Sequence, residues 1–285
     1  MKETAYYNGK TARLARLRVP ATDRAFYFGD GVYDAAYGRN GRIHALDEHI
    51  DRFFGSAEAV GITVPESKAG IKEIITRLAV RSPLKDQFVY FQVSRGSGIR
   101  EHSYPDGVKG NLFVMVKEGK IRNVNLPVKL ITVKDTRFLH CNVKSLNLLP
   151  SVMAAKAAER EGCDEAVFVR DGAVTECSHS NIFVLKEGRL ITAPADNRIL
   201  AGVCRAHLLR LCEKEGIPAE EREYSEAELY EADEILLTSA GSFCLRASEL
   251  NKKPVGMKDE NLARFLQQAL VAEFEEAVNP QQSKV

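Results

Sequence analysis

Four separated points of the chain carry side chains whose types and settings suit amine, carboxylate and anion chemistry. Lys144 sits in Val143-Lys144-Ser145-Leu146-Asn147, after a strand-like run at residues 128–133 and just before a predicted helix. A lysine at such a junction can be buried. Burial lowers an amine's pKa, and the neutral amine can condense with an aldehyde cofactor. Glu176 closes a short strand that follows the hairpin signal Asp171-Gly172, where a carboxylate can hold a protonated ring nitrogen. Arg100-Glu101-His102 ends a glycine-containing loop, and there a guanidinium can grip a carboxylate at two points while the imidazole adds a donor. Gly202 opens a predicted helix whose first backbone N–H groups make a seat for an anion. Singly, each has a plainer reading: a solvated lysine, a surface glutamate, a basic loop, a helix start.

Elements must bring these groups to bear. In the first half, Asn8-Gly9 turns one strand into a second at residues 13–19, and Gly29-Asp30-Gly31 marks a tight turn or a close backbone approach. Asn40-Gly41 is a hairpin turn. Leu46, Ile50, Phe53, Phe54, Ala57 and Val60 follow helical spacing, with Asp47 as the expected cap and Arg52 off the centre of the apolar face. A second helix is predicted at 69–80. Phe88, Tyr90 and Gln92 alternate with Val89, Phe91 and Val93, which predicts a strand packed on both faces, and another strand follows at 111–117.

In the second half, Pro150 and Gly162 bracket the helix after Lys144. Hairpins turn at Asp171-Gly172 and Glu187-Gly188, and a helix runs from Gly202 to Gly216 with Leu208, Leu211 and Cys212 inside. Ser225 and Glu228 form a capping box, and a strand at 234–238 and an amphipathic helix at 261–277 complete the pattern. The predicted class is α+β. The expected division is a small α+β domain at 1–118, an interdomain loop at 119–125, and a large barrel-like β unit with helices at 126–285.

Composition narrows the function classes. The 285 residues are 45% hydrophobic and 28% charged, with a net charge of +1, which gives no reason to expect nucleic acid or a membrane as partner. No run is long enough for a membrane helix and no apolar signal core follows Met1, so a cytoplasmic location is expected. The six cysteines lack the spacing of a metal or redox motif and read as free thiols, with Cys177 and Cys204 the ones expected to meet thiol reagents. His140 reads as a packing or hydrogen-bonding residue.

Lys144-Ser145-Leu146-Asn147, Thr175-Glu176 and Ser180-Asn181-Ile182-Phe183, in this order, resemble the fold-type IV pyridoxal-phosphate enzymes, and the resemblance runs from about Tyr6 to about Gly256. It implies that architecture, with an N-terminal α/β sandwich layer and a C-terminal pseudo-barrel. It also implies pyridoxal 5'-phosphate as cofactor, joined to Lys144 as the catalytic residue, with Glu176 on the ring nitrogen. Arg52 of His49-Ile50-Asp51-Arg52 would bind the phosphate with Gly202, Val203, Cys204, Ser239 and Ala240, and Leu200 would lie against the ring. Tyr33, Arg100, His102, His179 and Ser180 would face substrate. The Arg-x-His spacing is that of the D-amino acid aminotransferases, where it traps the substrate α-carboxylate from the neighbouring subunit. Transfer of an amino group between D-amino acids and 2-oxo acids in a homodimer with composite sites is the activity so implied. An aminodeoxychorismate lyase or an (R)-selective amine transaminase on the same fold is the alternative, and a non-catalytic cofactor-binding protein is disfavoured by Lys144 and Glu176. The chain departs from the family at His179, where a serine is usual, at Cys177 for glycine, at Cys204 for a hydroxyl residue, and at Ala240-Gly241 for a threonine pair.

Overall fold

The computed structural model describes residues 3–279 and places them in two compact units. One unit holds the chain up to Ile121 together with Val143–Asn147 and the segment from Phe274, and the other holds Arg122–Asn142 and Leu148–Glu273. The lysine-bearing segment, expected with the large domain, packs with the first unit.

The first unit is built on strands β1 (Thr4–Tyr7), β2 (Lys10–Arg13), β3 (Gly31–Arg39), β4 (Arg42–Ile43), β5 (Asp86–Ser94) and β6 (Asn111–Glu118), ordered β2-β1-β6-β5-β3-β4 and antiparallel throughout. Helices α1 (Arg24–Phe28), α2 (Leu46–Ala59) and α3 (Lys68–Arg81) accompany the sheet. Pairing of β3 with β5 runs unbroken from Gly31↔Ser94 to Arg39↔Asp86. Strand alternation sends Val32, Ala36, Val89, Phe91, Val93 and Val114 into the core, where they meet Ile50, Phe53, Ala57, Ile71 and Ile75 of α2 and α3. Tyr33, Tyr37, Phe88 and Tyr90 occupy the opposite, half-buried face, so β5 is packed fully on one face only, against the expectation of two.

Two further boundaries differ from the sequence reading. β2 stops at Arg13 instead of running to 19, because its partner β1 begins at Thr4, opposite Arg13, and the ladder ends there; Leu14–Arg16 form a 3-10 turn. α2 starts at Leu46, behind a left-handed Ala45 (φ 49°), and Asp47 lies within the first turn, where it favours the helix dipole without capping.

The second unit carries β7 (Val128–Lys134), β8 (Glu165–Arg170), β9 (Ala173–Cys177), β10 (Asn181–Lys186), β11 (Arg189–Thr192), β12 (Ala219–Glu221), β13 (Glu234–Ser239), β14 (Phe243–Leu250) and β15 (Lys253–Pro254) in one sheet, ordered β12-β11-β10-β13-β14-β7-β8-β9 with β15 beside β14. Its helices are α4 (Leu149–Arg160), α5 (Val203–Glu215) and α6 (Glu226–Glu231), and α7 (Glu260–Val278) begins in it. β7 lies parallel to both neighbours, β8 and β14, and the intervening α4 makes the β7–β8 crossover that a parallel pair requires. Pro150 sits in the first turn of α4, and Ser225 and Glu228 cap α6 reciprocally. The Asp171-Gly172 and Glu187-Gly188 turns have positive φ at both residues (51° and 84°, 50° and 71°), the hand that suits a two-residue hairpin. Ile182, Val184, Ile235, Leu237, Leu245 and Ala247 centre the core.

Candidate active site

In the first unit Lys144 is held by its backbone. Tyr33 N donates to Lys144 O at 2.9 Å and Leu146 N to Gly31 O at 3.0 Å, while Ser145 bridges Val32, so the segment lies against the free edge of β3 like a short extra strand. From the other side, Lys144 N donates to Ser56 Oγ at 3.1 Å, and Val143 joins the core. A side chain at Gly31 would meet Leu146 and the Val93 carbonyl at 2.7 Å, so the close approach requires glycine. The Lys144 ammonium lies 4.5 Å from the centroid of the Tyr33 ring, and Tyr33 stacks on Tyr90 at 5.4 Å. Lys144 as a whole is half-buried.

Behind it, Arg52 donates through Nε and Nη2 to the two oxygens of Asp34, each at 2.8 Å, and His49 Nδ1 donates to Asp34 at 2.7 Å. Asp34 is fully buried. Burial pushes its carboxyl up, but the Arg52 charge and the two donors outweigh this and hold it well below the usual carboxylate range. Burial pushes the His49 pKa down, against the Asp34 carboxylate, so at neutral pH the imidazole is neutral and Arg52 alone balances Asp34. The guanidinium plane is thereby fixed. Arg100 and His102 lie on the exposed loop between β5 and β6, and both face the Phe28 ring, at 5.3 Å each.

In the second unit Glu176 gathers three donors. Arg137 Nη1 forms a short charge-assisted bond to Oε1, and Asn181 Nδ2 (3.1 Å) and Leu200 N (3.0 Å) donate to Oε2. Arg137 is itself gripped by Asp135, and it donates to Thr175 Oγ1 and to the Arg198 carbonyl. Burial pushes Arg137 down, but Asp135 and Glu176 more than reverse that, so it stays a cation. Asp135 is raised by burial and lowered further by Arg137 and Arg170, to about 2. Asn181 also donates to Leu200 O at 2.8 Å, and a Cβ at Gly202 would fall 2.1 Å from its Oδ1. Gly202 is therefore the N-cap of α5 for lack of room, with no side chain to cap it, and the first turn at Val203 and Cys204 presents backbone N–H groups. Ser239 Oγ lies 2.7 Å from Ser242 Oγ across the turn that carries Ala240.

Glu165, buried at the start of β8, organises the Ser178-His179-Ser180 turn. It accepts from His179 N (2.8 Å) and Ser180 Oγ (2.5 Å), and His179 Nδ1 lies 2.9 Å away, with the ring mostly exposed. Burial raises the Glu165 pKa, and the His179 charge and these donors lower it overall.

Tyr33, Arg52, Arg100, His102 and Lys144 thus belong to the first unit, and Glu176, His179, Ser180, Leu200, Gly202, Val203, Cys204, Ser239 and Ala240 to the second. The expected thiol reactivity is corrected: Cys177 and Cys204 are both buried, and burial among Glu165 and Glu176 pushes the Cys177 thiol far up, away from the reactive thiolate. His140 rests against Phe138 at 5.7 Å. Sequence reasoning missed Asp34, Asn181, Arg137 and Glu165 as partners. Asp34 did leave a signal, being a lone carboxylate on the Val32/Ala36 face of an alternating strand.

The profile described as "Amino-transferase class IV" matches residues 31–250, the span from the start of β3 to the end of β14. The chain belongs to the class IV aminotransferase family. It is 34% identical over 281 residues to a protein named D-alanine aminotransferase from Bacillus licheniformis, covering 95% of this chain and 99% of that one. It is 37% identical over 227 residues to a D-alanine aminotransferase of Listeria monocytogenes, 78% of each chain. Among solved structures, the branched-chain aminotransferase of Thermoproteus uzoniensis superposes with a TM-score of 0.88 at 22% identity, over 97% of both chains, and that of Escherichia coli with 0.87 at 20%, over 95% and 94%. These likenesses place the fold among the fold-type IV aminotransferases.

Proposed function

We propose that this aminotransferase moves the amino group between D-amino acids and 2-oxo acids, D-alanine and 2-oxoglutarate being the reference pair, with pyridoxal 5'-phosphate bound, in the cytosol and as a homodimer with composite sites. The observation that carries the substrate class is Arg100 and His102 turned onto one ring, Phe28, at 5.3 Å each: a guanidinium and an imidazole on one platform suit an α-carboxylate.

In each unit the donor types suit parts of the cofactor. The α5 N-terminus, the Ser239 and Ser242 hydroxyls and the Arg52 guanidinium are suited to its phosphate, Glu176 to its ring nitrogen, and Lys144 to its aldehyde. When bound, the group supplies an electron sink for the substrate Cα. Lys144 Nζ would take the proton from the substrate Cα as general base and, as general acid, pass it on to the cofactor's aldehyde-derived carbon. Glu176, held by Arg137, Asn181 and the Leu200 N–H, would offer a fixed negative charge to the cofactor's protonated ring nitrogen. Arg100 and His102 bind the carboxylate and so choose which face of Cα turns its hydrogen toward Lys144. Tyr33, stacked on Tyr90, forms a wall against which the amine rests. His179 and Ser180, fixed by Glu165, border the side-chain region.

A half-reaction panel tests this. Matched D- and L-amino acids are added to the loaded protein and its visible band is followed. Loss of the band with D-alanine, and pyruvate formation once 2-oxoglutarate is added, is the expected result. Bleaching by L-forms alone would reverse the substrate class.

A further inference from the structure

We infer that Arg24 is the positioning residue of the carboxylate trap: it holds the loop that carries Arg100 and His102 through the loop's own carbonyls. The inference rests on the reading of Arg100 and His102 as the groups that bind the substrate carboxylate. Those two residues are exposed, on a stretch between β5 and β6 without regular structure, so their side chains can be placed only if something fixes their backbone. Arg24 does so from a buried position, 5% exposed, at the start of α1. Its Nη1 donates to Glu101 O at 2.8 Å and its Nη2 to His102 O at 3.3 Å, and its Nε donates to Asp30 at 2.8 Å.

The support is continuous back to the core. Asp30 also accepts both bonds of Arg95 Nε, at 3.0 and 2.9 Å, and the Nη atoms of Arg95 donate to Gly61 O and Val60 O, each at 2.8 Å. Asp30 stands one residue before β3, the strand that carries Tyr33. One carboxylate therefore ties the loop's arginine anchor to the strand of the aromatic wall. Aromatic rings complete the bracket. Tyr104, from the far side of the loop, covers Arg95 at 3.9 Å and Arg24 at 5.5 Å. Phe28 takes Arg24 at 4.8 Å and the two trap side chains at 5.3 Å each. Arginine is the side chain this job needs. Its planar fork serves two carbonyls and a carboxylate at once, whereas a lysine ammonium on a flexible stem does not hold three acceptors in one plane.

The test is steady-state kinetics of Arg24→Gln, Arg24→Lys and Arg24→Ala beside Arg100→Ala, with D-alanine and 2-oxoglutarate. It is read together with the Ki of propionate as a bare carboxylate, the affinity for pyridoxal phosphate and the melting temperature. Arg24→Gln should raise the D-alanine KM and the propionate Ki about tenfold, the equivalent of one charge-assisted bond, with kcat changed less than about threefold. Arg24→Lys should fall between, cofactor affinity should stay as in the parent, and added guanidinium ion should recover part of the Ki in Arg24→Ala. If Arg100→Ala raises KM while Arg24→Gln does not, the inference is overturned and the trap reading stands. Unchanged KM in Arg100→Ala would remove the trap reading itself. An Arg24→Gln that loses kcat, cofactor and melting temperature together, with no recovery by guanidinium, would make Arg24 a general support of the unit and also overturn it.

Discussion

At the scale of single residues, the candidate site depends on side chains that touch one another before they touch a ligand. Glu176 is placed by Asn181, and Asn181 has its room because position 202 has no side chain. Gly202→Ala puts a Cβ 2.1 Å from Asn181 Oδ1, which forces Asn181 away from Glu176 and Leu200 or pushes the start of α5 outward. Overpacking of this kind costs about 1–3 kcal/mol. The expected outcome is a loss of cofactor affinity of about tenfold or more, measured by titrating the visible band, because both groups meant for the cofactor shift. An unchanged affinity would show that Asn181 does not set Glu176. Lys144, Glu176 and the Arg100/His102 pair were legible in the sequence because they sit at turns and element junctions, whereas Arg52, in mid-helix, was legible only through the resemblance of its motif. Arg137 and Glu165 were not, since a salt bridge to a residue outside its own element, well beyond one helix turn, leaves no periodic trace, and each looks like an ordinary surface charge until the strands are paired.

At the scale of elements, α2 is the part that organises the lysine. His49, Arg52 and Ser56 follow one another at three and four residues, so they lie on one flank of the helix, next to the apolar stripe of Ile50, Phe53 and Ala57. Through Ser56 the helix accepts the Lys144 N–H, and through Arg52 it reaches Asp34 on β3, the strand that pairs with the Lys144 segment. Ser56→Ala removes a buried acceptor and leaves that amide unmatched, a cost of about 1–3 kcal/mol. The variant should melt lower and load cofactor more slowly, while Ser56→Thr, which keeps the hydroxyl, should stay closer to the parent in both. Equal behaviour of the two variants would mean that volume, not the hydrogen bond, matters there. The helices, hairpins and capping box could be read ahead because periodicity and turn chemistry are local. The end of β2 and the half-open face of β5 could not, since a strand's length and covering depend on what lies beside it. The packing of residues 143–147 with the first unit has the same origin: the pairing edge, on β3, lies more than a hundred residues earlier in the chain.

For the whole molecule, the same buried groups set how it meets acid. Asp34 in the first unit, and Asp135 and Glu165 in the second, have folded pKa values below their unfolded ones, held there by arginine, histidine and hydroxyl partners against the opposing effect of burial. A depressed carboxylate contributes stability that is complete above the ordinary carboxylate range and is lost as pH falls through its folded value. For Asp135 the window is bounded by 3.8 and about 2. His49 acts higher on the scale. Its folded pKa lies below the ordinary histidine value of 6.5, so the unfolded chain takes up its proton first and stability begins to fall once pH drops below that point. One such group gives a slope of at most about 1.4 kcal/mol per pH unit. Urea unfolding, followed at steps from pH 8 to pH 2.5, should therefore show a plateau above about 7, a shallow decline through 6 and 5, and a steep loss below 4. His49→Gln should flatten the shallow part and leave the steep part in place. The buried pairs should keep the steep part nearly insensitive to 0.5 M salt, roughly three times physiological ionic strength, because screening acts on exposed charges. A curve that is level between pH 4 and 2.5, or one that salt removes, would mean that these carboxylates are solvated and that the Asp34–Arg52 and Asp135–Arg137 pairs do not anchor their units.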